Sequence, residues 1–123
     1  MSFKTQTVER ILKTIEQICH SPTLRYYRLG YTSLSAQEKQ RVYQPRHLVV
    51  LADKLTKVDA LDLEHRLQMA ACGMDGAACD KSSILYQKYD PKRRGTRYWR
   101  NDGGNLAAPL ERVHSVYMVW KEN

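Results

Sequence analysis

The chain has little of several things. Among its 123 residues there is one phenylalanine and there are only three cysteines, Cys19, Cys72 and Cys79. An odd cysteine count with no secretory signal pattern argues against a disulfide framework. It points to a reducing, intracellular compartment, cytoplasm or nucleoid. Cys72 and Cys79 are too far apart for a CxxC knuckle, and no Cys/His run has zinc-finger spacing. Buried free thiols are expected instead. No apolar run approaches the roughly 18–20 residues that a membrane span needs, so no membrane partner is expected. Negative charge is also scarce: 13 Asp+Glu stand against 20 Lys+Arg, a net +7. Such an excess attracts polyanions and suits a nucleic-acid partner. The plainer reading of that charge is solubility.

What is present fits one domain over residues 1–123. Hydrophobic residues make up 42% of the chain, enough for one modest core. Val8, Ile11, Leu12, Ile15 and Ile18 recur at helical spacing and predict a helix over 5–19. "HSP" at 20–22 ends it, so 1–22 reads as an N-terminal helical extension. "LRYYRLGYTS", 24–33, reads as a strand, with Gly30 allowing a bulge or a close approach. Ser35 and Glu38 form a capping box for a helix over about 36–43. The continuous apolar run "HLVVLAD", 47–53, predicts a buried central strand. Thr56 and Asp59 cap the next helix, and Gly73 stops it. Val58, Leu61, Leu63, Leu67 and Ala70 or Ala71 supply its apolar side, and Glu64 borders that side or faces inward. "ILYQKY", 84–89, reads as a short strand or a helical turn. Residues 90–105 are loop-like, and 112–121 alternate as a C-terminal strand. The expected class is α+β: a small mixed or antiparallel sheet flanked by helices, with the core over 24–121.

Three segments could carry chemistry. From Lys88 to Arg100 there are six cations, Lys88, Lys92, Arg93, Arg94, Arg97 and Arg100, and one acid, Asp90. Tyr89, Tyr98 and Trp99 are interleaved. Arginine forks hold phosphate bidentately, and aromatic faces stack on unpaired bases. The alternative is a solvated loop whose aromatics fold back onto the core. "NDGG", 101–104, is a tight turn that lets backbone approach a ligand. Glu64, with Arg41 and His47 upstream, is the third. A nuclease needs a carboxylate for a hard divalent cation, a positive charge near the phosphate and a general base. Glu64, Arg41 and a tyrosine or histidine could fill those roles. Each is also a common structural residue.

The pieces "YYRLGYTS", Arg41, "HLVVLAD", "ALDLEHRLQ" and "RNDGG" together resemble the GIY-YIG nuclease superfamily. The resemblance covers about residues 24–72 and the 101–104 turn. It implies a DNA endonuclease in which Glu64 holds Mg²⁺ (or Mn²⁺), Arg41 and Arg28 face phosphate, and Tyr27 or Tyr117 assists water. It also matches Asn101 to a late polar residue of the family. Two departures accompany it. The second name motif reads Arg28-Leu29-Gly30, with arginine where tyrosine is usual. The first name motif is missing from the region before Gly30. "VYMVW", 116–120, looks like that first-motif strand at the other end of the chain, and it would bring Tyr117 beside residues 25–31 as the family's first tyrosine. Two other functions stay open. One is a binding module of the same fold without catalysis, holding nucleic acid, DNA more than RNA, through Arg28, Lys92, Arg93, Arg94, Arg97, Trp99, Arg100 and Asn101. The other is a protein-interaction domain using Tyr98, Trp99 and the N-terminal helix.

Overall fold

The N-terminal apolar spacing does make a helix, α1 (Thr5–Cys19). The structure, a computed structural model, describes residues 5–33, 47–73, 78–92 and 114–122. Val8, Ile15 and Cys19 are buried, and Ile11, Leu12 and Ile18 pack against the same core. The capping box at Ser35 and Glu38 and the turn at 101–104 lie outside the described residues.

After α1 come β1 (Leu24–Thr32), β2 (His47–Leu55), α2 (Lys57–Cys72), the single turn α3 (Ile84–Gln87) and β3 (His114–Glu122). The class is α+β: an antiparallel three-stranded sheet with helices packed on it. The strand order is β1-β3-β2. This corrects one expectation. "HLVVLAD" is not central: among the described strands β2 is at an edge and only half-buried, while β3 lies between its two partners. A long apolar run marks burial on two faces, and here the two-sided burial belongs to Val116, Tyr117, Met118 and Val119 of β3. β2 also slips register against β3 between Val50 and Ala52 and again before Leu55.

α2 begins and ends where its local signals put it. The Thr56 hydroxyl accepts from the Asp59 backbone N–H at 3.1 Å. Gly73 closes the helix in the left-handed region, φ 70°. Its inward face is Ala60, Leu63, Glu64, Leu67, Gln68 and Ala71. Each buried leucine there contributes about 1.5–3 kcal/mol. Val58, expected on that side, is instead 64% exposed. It sits in the first turn, rotated away from the sheet.

Strand pairing sorts the side chains. Tyr27, Leu29 and Tyr31 lie opposite Trp120, Met118 and Val116. These six pack on the core shared with the helices. Tyr26, Arg28 and Gly30 lie opposite Lys121, Val119 and Tyr117 on the other face. Gly30 is needed there. A Cβ at this position would lie 2.5 Å from the Tyr117 hydroxyl and 2.7 Å from its ring. The expected close approach is thus made by a cross-strand phenol.

Candidate nucleic-acid interface

The site starts at an irregularity in β1. Its register with β3 shifts between Leu24 and Tyr26. Arg25 is the extra residue, so Arg25 and Tyr26 are both exposed although adjacent. Because β1 and β3 are antiparallel, this start of β1 lies beside the end of β3, with Tyr26 opposite Lys121.

A third segment joins the other edge of β1. The Tyr27 N–H donates to the Lys88 carbonyl at 2.9 Å, and the Asp90 N–H donates to the Tyr27 carbonyl at 2.9 Å. Tyr27 and Tyr89 form an isolated parallel bridge. Of the two alternatives for 84–89, residues 84–87 take the helical turn, and only a single isolated bridge forms at Tyr89.

These pieces wall a cleft of about 340 Å³. Four cations line it: Arg25, Arg28, Lys92 and Lys121. Asp90 is the acid in its wall, and it is committed locally. One carboxylate oxygen lies 3.8 Å from Arg28 Nε. The other accepts from the Lys92 backbone N–H at 3.0 Å. Asp90 therefore holds Arg28 and shapes the turn that presents Lys92. Tyr26 also stands in the wall, 40% exposed. The Arg25 guanidinium lies 5.8 Å from its ring centroid. The result is a concave, positively charged surface with an open aromatic ring, which suits an anion attached to a flat apolar group.

Lys88, the first cation of the basic run, is not part of this surface. Its ammonium donates to the Leu24 carbonyl at 2.5 Å. Tyr89 takes the alternative weighed for that loop's aromatics: it is core, 1% exposed.

A second polar group lies beneath the sheet. The Tyr27 hydroxyl donates to the Leu85 carbonyl at 2.7 Å. The Tyr27 and Tyr89 rings meet edge to face, centroids 5.0 Å apart. The Gln68 amide donates to the Leu29 carbonyl and to the Tyr89 hydroxyl, both at 3.4 Å. Burial pushes the Tyr89 phenol far above its ordinary range, and Cys72 and Glu64 push the same way, so it stays protonated. Glu64 is 1% exposed.

The expected catalytic residues therefore divide. Tyr27 and Glu64 lie on the helix side of the sheet, whereas Tyr117 lies on the other face. Of the expected nucleic-acid contacts, Arg28 and Lys92 line the cleft. Arg41, Arg93, Arg94, Arg97, Trp99, Arg100 and Asn101 lie outside the described residues. Among the described residues, nothing beside Glu64 completes an oxygen-ligand set for Mg²⁺ or Mn²⁺. A hard cation needs several oxygen ligands, water among them, and this carboxylate is enclosed. Among the described residues no three His, Cys, Asp or Glu side chains form a metal-holding group. No described helix is long and apolar enough to cross a membrane.

Sequence reasoning missed Arg25, Tyr26 and Lys121 as site residues. The available signal was the aromatic-basic pairing of "RYYR" and "WK", which becomes a site only once the ends of β1 and β3 pair. Compared with known proteins, the chain matches no family model, no curated protein and no solved structure.

Proposed function

We propose that the protein is a nucleic-acid-binding domain whose contact surface is the cleft between β1, the end of β3 and the turn at 90–92. One observation supports this above the rest. Arg25, Arg28, Lys92 and Lys121 line one cleft together with the exposed ring of Tyr26. Phosphate needs the cations, and a base needs the ring. The basic run from Arg93 to Arg100 continues the chain directly from Lys92, which extends the positive sequence beyond the cleft.

Fluorescence anisotropy with labelled oligonucleotides across a salt series tests it. Affinity falls steeply with salt. The double variant Arg25→Ala/Lys121→Ala weakens binding and lowers the log–log salt slope by about 1 for each phosphate that is no longer neutralised. Affinity that ignores both salt and variant overturns the reading.

The endonuclease reading stands second, on a specific observation. β3 lies against β1 with Tyr117 over Gly30, the arrangement that the GIY-YIG resemblance asks of a displaced first-motif strand. It asks Glu64 to act from the buried side of the sheet, so the binding reading is preferred. Nicking of supercoiled plasmid with Mg²⁺ or Mn²⁺, abolished by EDTA and by Glu64→Ala in a folded variant, would reverse that order.

A further inference from the structure

The cleft differs from a surface built only to hold a phosphate backbone. Double-stranded nucleic acid keeps the faces of its bases stacked inside and offers phosphates and groove edges. Cations alone serve that purpose. Here the same cations line a cleft that also carries an exposed aromatic ring. Tyr26 is one of two large hydrophobic residues left exposed among the described residues. The other, Val58, stands on α2 away from the cleft. Strand parity points Tyr26 outward, the bulge turns Arg25 outward beside it, and the Arg25 guanidinium lies near the ring.

We infer that the cleft takes an unpaired nucleotide of a single strand, with its base on the Tyr26–Arg25 platform and its flanking phosphates on Lys121, Lys92 and Arg28. The inference rests on the nucleic-acid-binding reading and narrows it. Size agrees: about 340 Å³ is at the small end of the roughly 300–1,000 Å³ spanned by small-ligand pockets. That volume accommodates one nucleotide. Chemistry agrees as well. A flat π-face accepts any base, and arginine beside it adds cation–π attraction, so the site discriminates strand state more than sequence. Asp90 keeps Arg28 aimed without an incoming ligand, because its carboxylate already neighbours that guanidinium.

The test compares 20-nucleotide oligothymidylate, oligouridylate and a mixed-sequence duplex of equal length at one salt concentration. Both single strands bind at least about tenfold tighter than the duplex. Tyr26→Ala lowers single-strand affinity about tenfold, lowers duplex affinity by much less and is restored by Tyr26→Trp. Because Tyr26 is exposed, circular dichroism of the variant matches the parent. Duplex binding as tight as single-strand binding, or a silent Tyr26→Ala, overturns the inference while the nucleic-acid reading survives. Failure of all three ligands to bind at low salt overturns both.

Discussion

Tyr26 and Tyr27 are neighbours of the same type, and the fold gives them opposite roles. Tyr26 is 40% exposed in the wall of a positive cleft. Tyr27 is 1% exposed, donates to the Leu85 carbonyl and meets the ring of Tyr89. Pleat parity alone separates them. The same parity separates two polar groups among the described residues. Glu64, Gln68 and Tyr89 are enclosed on the helix side, where desolvation governs. Arg25, Arg28 and Lys121 stand on or at the rim of the other face, where solvent screening governs. Polar residues close in sequence therefore do not make one site. Those brought together by strand pairing do.

The comparison is sharpest in paired substitutions. Tyr27→Ala leaves a cavity in the core and an unmet carbonyl, and costs about 3–5 kcal/mol by urea unfolding. Tyr26→Ala stays within about 0.5 kcal/mol of the parent. Equal costs would mean that the two faces are not distinguished as described. Gly30→Ala drives a methyl group toward the Tyr117 phenol and costs about 1–3 kcal/mol. Removing the phenol tests the cause: in a Tyr117→Leu background the same change costs less.

Alkaline pH separates the faces in another way. Burial pushes the Cys19 thiol from 9.0 up to about 12, against the nearby charge of Lys88 and with that of Glu16. The unfolded chain releases this proton above about pH 9 while the folded chain keeps it. Stability is therefore fully present at neutral pH and is lost as pH rises from about 9 to about 12. Tyr89, also shifted upward, adds to the loss above its ordinary value of 10.0. The urea midpoint is lower at pH 11 than at pH 8, and Cys19→Ala reduces that fall. An undiminished fall would assign it to other groups. The smallest effect belongs to the cleft. Asp90→Asn keeps an oxygen for the Lys92 N–H and removes one negative charge, so oligonucleotide affinity rises about two- to fivefold. Unchanged affinity would place the bound phosphates away from Arg28.

What could be read in advance follows the range of each signal. α1 is legible because its apolar spacing is local. α2 is legible because Thr56, Asp59 and Gly73 act within one turn of its ends. The rank of β2 was not legible: an apolar run reports burial but not which strands flank it. Val58 misled because apolar character in a first turn does not fix which way the turn faces. The cleft was least legible of all. Arg25 and Lys121 are neighbours only through the β1–β3 pairing, and no local pattern encodes a pairing across that separation. Tyr89 stands among basic neighbours in sequence, yet a backbone bridge to Tyr27 draws it into the core.

The sheet order also bears on how the chain acquires its shape. β3 follows every other described element, yet it is the strand that joins β1 to β2. During synthesis β1 and β2 leave the ribosome before the strand that pairs with both of them, and the helices have no finished surface to pack on. Non-local pairing of this kind folds slowly and leaves strand edges open to other chains in the interval. A nascent chain stopped before residue 114 holds most of the described residues and lacks the strand that pairs with both β1 and β2.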